Sequence, residues 1–165
     1  MKLGAESVRN IVFGIEDSLV STVGLISGVA FAGVPRLTLV LTGVILIFVE
    51  AFSMAVGSLL SDNSVREFKN QTDVPISKSI KSAAIMFVSY FVVGFAVIVP
   101  YFLINDSRAL LISILISVIF LFVLGVFSGK MSRGSPIKKG FSMVIIGGGA
   151  IFIGMTVGAL VNSVY

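Results

Sequence analysis

The sequence predicts an all-α membrane protein with five transmembrane helices, a cytoplasmic N-terminus and a C-terminus on the opposite side. Composition gives the first reason. Hydrophobic residues make up 56% of the 165 residues and charged residues only 12%, whereas a soluble domain carries about 25% charged residues. The second reason is that five apolar stretches each approach or exceed the roughly 20 residues that cross a bilayer. The third is that the basic residues are concentrated in alternate connectors.

The five predicted spans occupy most of the chain, and residues 1–165 are expected to form a single domain. The spans cover residues 11–32, 37–60, 83–104, 109–128 and 141–163. Pro35, Pro75 and Pro136 fall in the connectors, where a missing backbone donor costs little. Pro100 lies inside the third span and is expected to kink or end that helix. This layout leaves no room for a separate soluble catalytic domain.

Basic residues predict the orientation. The N-terminal segment and the second and fourth connectors carry ten Lys and Arg residues, whereas the other side carries only Arg36 and Arg108. Lys and Arg accumulate in cytoplasmic loops, so the N-terminus is expected to be cytoplasmic. This bias also accounts for the net charge of +4. Because the basic residues form no stripe with aromatic residues, no nucleic-acid partner is expected.

The chain contains no Cys and no His. Their absence excludes disulfide scaffolds, thiol nucleophiles, His-based catalytic triads and the usual zinc sites. An intramembrane enzyme is therefore a weak interpretation, and we predict that the protein is not an enzyme. The first apolar stretch contains Glu16 and Asp17 and lacks a small-residue cleavage site, so it is not expected to be a cleavable signal peptide.

Three carboxylic acids lie inside the predicted spans: Glu16, Asp17 and Glu50. No Lys, Arg or His accompanies them within the spans. An ionised acid at the centre of a membrane helix costs about 2.5 to 3.5 kcal/mol on insertion scales. These acids must therefore be protonated, reach water or bind a cation. Each possibility favours a cation or proton pathway.

Depth and helical phase group some of these residues together. Counted from the ends of the apolar stretches at about 1.5 Å per residue, Asp17 and Met54 should share a depth of about 9 Å, with Glu50 at about 15 Å. At about 100° per residue, one stripe of small or polar residues runs along each of the first two helices. The stripes comprise Gly14, Asp17, Ser21, Gly24 and Gly28 in the first helix, and Gly43, Glu50, Met54, Gly57 and Ser61 in the second.

Helix packing is the alternative explanation for the glycines. Small residues allow two membrane helices to approach closely, and Gly24-x-x-x-Gly28 and Gly154-x-x-x-Gly158 are typical of such contacts. Glu16 points about 100° away from Asp17, so it is a weaker candidate for the pathway.

Two motifs carry a resemblance to a known family. Val12-Phe-Gly-Ile-Glu-Asp-Ser-Leu-Val-Ser-Thr22, followed by Gly24-Leu-Ile-Ser-Gly28, resembles the first-helix signature of the vacuolar iron transporter (VIT) family. Ala51-Phe-Ser-Met-Ala-Val-Gly57 is similar to the second-helix motif of that family. The ending of the third span at Pro100-Tyr101 and the glycines of the fifth span also fit. The likeness extends over nearly the whole chain.

The resemblance implies a homodimer in the lipid bilayer, with a pathway between the subunits that the first helices line. The implied activity is export of Fe²⁺ or Mn²⁺ from the cytosol in exchange for protons, across a cell membrane or a vacuole-like organelle membrane. No permanently bound cofactor is expected, since the metal is cargo. By motif position, Asp17 becomes the pathway carboxylate and Met54 a thioether ligand. With Glu50 they form the predicted metal site, and the predicted pathway-lining residues are Gly14, Ser21, Gly24, Gly28 and Gly57.

The chain also departs from the family pattern. Ser18 replaces the glycine after the motif aspartate, and Leu46 and Ser58 occupy positions where acids are common in the family. Glu50 lies on the same face between them and is interpreted as a relocated carboxylate. Segment 61–82 is too short for the Glu-rich cytosolic insertion of the family's iron transporters. These differences favour a second hypothesis, a transport-inactive membrane scaffold or subunit that retains the fold.

Overall fold

The structure is a computed structural model that describes residues 4–104, 108–132 and 134–164, and these residues are almost entirely helical. The first span consists of α1 (Ala5–Asp17), a π-helical turn (Ser18–Thr22) and α2 (Val23–Phe31), which continue one another. The remaining elements are α3 (Arg36–Asn70), a 3₁₀ turn (Ile76–Ser79), α4 (Ile80–Leu103), α5 (Arg108–Met131) and α6 (Pro136–Val164).

The five helical spans are long and apolar enough to cross a membrane, which confirms the predicted all-α fold with five spans; the orientation of the termini stays a prediction. Each helical span extends beyond its apolar stretch at one or both ends, because hydropathy marks the bilayer and not the end of a helix. α3 continues ten residues past the predicted boundary at Leu60 and stops at Asn70. It ends where Gln71 adopts a left-handed conformation with φ of 53°, a common way to terminate a helix.

Pro100 lies in the last turn of α4, which ends three residues later at Leu103. The sequence therefore placed the end of this helix correctly. Arg36, at the start of α3, donates hydrogen bonds to the carbonyl oxygens of Tyr101 and Phe102, each at 2.7 Å. These bonds satisfy carbonyl groups that have no partner within a helix that is ending. They also hold the start of α3 against the end of α4.

Glycine contacts join α2 to α6 at backbone distance. A Cβ added to Gly28 would lie 2.5 Å from the carbonyl oxygen of Gly154. A Cβ on Gly154 would collide with the carbonyl of Gly24, and one on Gly158 with that of Gly28. The two G-x-x-x-G motifs predicted to make close helix contacts therefore pack against each other.

Hydrogen bonds and ion pairs define the two ends of the bundle. At one end, which we call the basic end, Arg66 near the end of α3 pairs with Glu6 near the start of α1 at 2.6 Å. Gly129 of α5 packs against Pro136 of α6 at this same end. The contact between Arg36 and the end of α4 lies at the opposite end.

Candidate functional site

Asn10 sets the register between α1, α3 and α4. Its amide nitrogen donates to the hydroxyl oxygens of Ser58 and Ser82, each at 3.0 Å, and to the Ser82 carbonyl at 3.3 Å. Asn10 is only 1% exposed. Since a buried amide must be hydrogen-bonded to be tolerated, these bonds fix the heights of the three helices relative to one another.

This register places the two central acids at the same level. Asp17 follows Asn10 by seven residues and Glu50 precedes Ser58 by eight, so at about 1.5 Å per residue they lie about 10 and 12 Å from the Asn10–Ser58 bond. Both side chains are half-buried. We call Asp17 and Glu50 the acid layer.

Met54 lies closer to the basic end than expected. It precedes Ser58 by four residues, which places it about 6 Å from the Asn10–Ser58 bond and about one helical turn from the acid layer. The prediction that Asp17 and Met54 share a depth is therefore wrong. Depth was counted from Ile11 and Leu60, the ends of the apolar stretches, but the Asn10–Ser58 bond sets Ile11 level with Gly57, so Leu60 lies about 4.5 Å further toward the basic end.

A π-helical turn directly follows Asp17. The hydroxyl of Ser18 donates to the backbone carbonyl of Tyr90 at 2.8 Å, and the Ser21 and Tyr90 hydroxyl oxygens are 2.7 Å apart. Ser18 and Tyr90 are fully buried. The turn takes in about one residue more than an α-helical turn, and such turns are frequent at functional sites. No sequence pattern indicates this turn, because its residues suit an α-helix equally well.

The π turn divides the stripe expected on the first helix. Residues after the turn are rotated by about 100° relative to an uninterrupted α-helix. Gly14 is buried against α4, where an added Cβ would lie 3.0 Å from the Ser89 Cβ. Gly24 and Gly28 pack against α6 instead. The expectation of one continuous face therefore does not hold, since it assumed a regular α-helix throughout.

One groove lies on the basic side of the acid layer, between α1, α3 and α4. Its volume is about 570 Å³. It contains two thioethers, three hydroxyl groups and the buried amide of Asn10, with a guanidinium group also in its wall. The lining residues are Arg9, Asn10, Phe13, Ser53, Met54, Gly57, Ser58, Ser61 and Met86. We call this the basic-end groove; it contains Met54 and Gly57, two of the predicted site residues.

A second groove lies between α2 and α6, on the opposite side of the acid layer. Its volume is about 590 Å³. Of its lining residues, all of which belong to the described part of the chain, Ser21 alone has a polar side chain. Gly24 and Gly28 also line it. This α2–α6 groove therefore brings together three predicted pathway residues, whereas Gly14 lines neither groove.

The remaining candidates can be placed as follows. Glu16 is half-buried and adjoins Asp17 in the chain. Ser58, at a position where the family often has an acid, is occupied by its hydrogen bond with Asn10. Within residues 4–104, 108–132 and 134–164, no group of three or more His, Cys, Asp or Glu residues is close enough to hold a metal ion. The acid layer of one chain thus offers two carboxylates.

Sequence reasoning missed Asn10, Tyr90 and Met86. A signal existed for Asn10. It is a polar residue next to the first apolar stretch, and it precedes Gly14 by four residues, so it lies on the same helical face as Gly14 and Asp17. No comparable signal marked Tyr90 or Met86. Tyr90 and Met86 matter because α4 packs against the first span, where they contact Ser21 and Gly14. The periodicity of one helix does not predict which residues of another helix it contacts.

Comparison with known proteins assigns the family. The protein-family model with the description "VIT family" matches residues 8–74 and 67–159 of the sequence, which together span most of the chain. The two stretches overlap between the end of α3 and the start of the next helical segment. No curated protein matches the chain. Membership of this family indicates transport of metal ions across a membrane, and the five apolar helices make the protein an integral, multi-pass membrane protein. The chain belongs to the VIT family.

Proposed function

We propose that the protein exports Fe²⁺ or Mn²⁺ from the cytosol in exchange for protons. The observation that carries the proposal is the acid layer: the Asn10–Ser58 bond sets Asp17 and Glu50 level with one another, at a depth between those of the two grooves, whose linings include neither acid. The sequence contains no basic residue from 10 to 35 or from 37 to 65. A cation or a proton is therefore the natural partner for these carboxylates.

The donor atoms support the choice of metal. Carboxylate oxygens suit Mn²⁺ and Fe²⁺, and a thioether adds some preference for a softer ion. Met54 lies about one turn from the acid layer and lines the basic-end groove. An ion that enters through this groove would pass the thioether before it reaches Asp17 and Glu50.

A homodimer would complete the site, because one chain supplies only two carboxylates at the acid layer. Ser53, Gly57 and Ser61 are exposed on one side of α3, and an added Cβ on Gly57 would meet nothing within 4 Å. Small and polar residues are typical of the contacts between membrane helices. We propose that the second subunit covers this face and doubles the carboxylates around a two-fold axis.

A flux assay with matched variants tests the proposal. The purified protein is reconstituted into vesicles, and uptake of Fe²⁺, Mn²⁺, Co²⁺, Zn²⁺ and Ca²⁺ is measured with and without a pH gradient. Asp17→Asn removes one charge at the acid layer and should abolish uptake. Glu16→Gln removes a charge from the adjacent residue and should leave uptake near the wild-type rate. Uptake by Asp17→Asn at the wild-type rate would contradict the mechanism.

One observation favours the scaffold hypothesis. Ser58 stands at a position where the family often has an acid, and its hydroxyl accepts a hydrogen bond from Asn10. The hypothesis predicts that the wild-type protein moves none of the five metals and that its thermal unfolding is the same with and without Fe²⁺ or Mn²⁺. Metal-dependent stabilisation would count against it, because a ligand that binds only the folded state raises stability.

A further inference from the structure

The first span is fixed at both ends, with the π turn between the two fixed parts. α1 is held by the buried hydrogen bonds of Asn10 to Ser58 and Ser82. α2 is held by backbone contact between Gly28 and Gly154 of α6. Neither contact tolerates rotation, since the first would lose its hydrogen bonds and the second leaves no space for displacement. The π turn accommodates the rotation of α1 relative to α2 about the axis of the first span.

Asp17 is the residue most sensitive to this turn, because it is the last residue of α1. Conversion of the turn to α-helix would rotate α1 against α2 by about 100°. With α2 held by α6, much of that rotation would appear at Asp17. The direction of the Asp17 carboxylate relative to Glu50 therefore depends on the π turn.

Tyr90 holds the turn at two points. Its backbone carbonyl accepts the hydrogen bond from Ser18, the first residue of the turn, at 2.8 Å. Its side-chain hydroxyl forms a hydrogen bond with Ser21, three residues later, at 2.7 Å. Tyr90 and Ser18 are fully buried, so water does not compete for the bond from Ser18. One residue of α4 thus fixes both sides of the widened turn.

We propose that Tyr90 is a positioning residue for metal binding: through its hydroxyl bond to Ser21 it keeps the π turn in the form that presents Asp17 to Glu50. This inference rests on the proposed function. Tyr90 does not touch the metal and acts through the turn. The second bond, from Ser18 to the Tyr90 backbone, survives replacement of the side chain, so the fold is expected to tolerate loss of the hydroxyl.

A double-mutant cycle tests the inference with Mn²⁺ alone, measured by titration calorimetry on the purified full-length protein. Tyr90→Phe and Ser21→Ala remove opposite halves of the same hydrogen bond. Each should raise the Kd for Mn²⁺ about fivefold, in keeping with the net contribution of one hydrogen bond. The double variant should resemble the single variants, because the two changes remove one interaction.

Tyr101→Phe is the matched control, since it makes the same change on the same helix at a residue that is 4% exposed. It should leave the Kd unchanged. A structural defect would lower the fraction of protein that binds, whereas a positioning defect raises the Kd at constant stoichiometry. In vesicles the positioning defect should raise the KM for Mn²⁺ and largely spare kcat.

Three outcomes would overturn the inference: a Kd for Tyr90→Phe within twofold of wild type, additive effects of Tyr90→Phe and Ser21→Ala, or a reduced stoichiometry with unchanged Kd. In each of these the wild type still binds Mn²⁺ and the proposed function survives. A wild-type protein that binds no Mn²⁺ would overturn the proposed function and this inference together.

Discussion

The contact between α2 and α6 gives a stability prediction that can be worked out from the backbone. Substitution of Gly28 by Ala places a methyl group 2.5 Å from the Gly154 carbonyl oxygen. Ordinary contacts of this kind need at least 3.0 Å and usually 3.4 Å, so the helices must separate by roughly half an ångström or more. Neither neighbour can turn away, because both are backbone atoms of long helices.

Overpacking of this type typically costs about 1–3 kcal/mol. For a chain of this length, each kcal/mol corresponds to about 2–4 °C in the unfolding midpoint. We therefore expect Gly28→Ala to lower the thermal midpoint of the purified protein by several degrees. Thermal unfolding followed by tyrosine fluorescence or circular dichroism in one detergent provides the measurement.

Gly149→Ala is the control for this experiment. Gly149 lies inside α6, is exposed and has nothing within 4 Å of an added Cβ, so the same substitution meets no obstacle there, and alanine is the better helix former. Its midpoint should equal or slightly exceed that of the wild type. A midpoint for Gly28→Ala within one degree, on the order of measurement error, of the Gly149→Ala value would refute the close approach of α2 and α6.

Three further predictions concern other parts of the molecule. Asn10→Ala should lower the free energy of unfolding by about 1–3 kcal/mol, because it removes the buried donor to two serines. Unfolding on transfer from mild detergent to SDS measures this loss. An unchanged midpoint would contradict the helix register derived from Asn10. Met54→Leu should preserve stability, since leucine has nearly the same volume, but weaken binding of Fe²⁺ more than that of Mn²⁺; equal loss for both metals would argue against a thioether ligand. Asn70→Cys, at the exposed end of α3 in a chain without other cysteines, should react with a membrane-impermeant thiol reagent applied from the cytoplasmic side, and labelling from the other side alone would reverse the predicted orientation.

The fold could be predicted from the sequence to a large extent because a bilayer imposes simple rules. The apolar length of each span depends on that span alone, so the five spans were found without knowledge of how they pack. The G-x-x-x-G motifs were also informative, since a glycine repeat indicates a close contact. They did not reveal that Gly28 meets Gly154.

The details of the candidate site depend on contacts between helices and were harder to predict. The acids Asp17 and Glu50 were found by their chemistry, because carboxylates are rare inside membrane spans. Their equal height was missed, since it follows from the bond between Asn10 and Ser58. The π turn was missed for a related reason. Hydrogen bonds with Tyr90 of α4 support its geometry, and the periodicity of the first span does not depend on α4.

The length of α3 has a practical consequence for experiments on so small a membrane protein. Its 35 residues extend about 52 Å, whereas the hydrocarbon core is about 30 Å thick. Residues 61–70 therefore form a helical extension that projects about 15 Å beyond the apolar stretch. The Arg66–Glu6 ion pair ties this extension to α1. A fiducial domain fused at the tip, near Gln71, would inherit the rigidity of this helix, which makes the position well suited to particle alignment in electron cryomicroscopy.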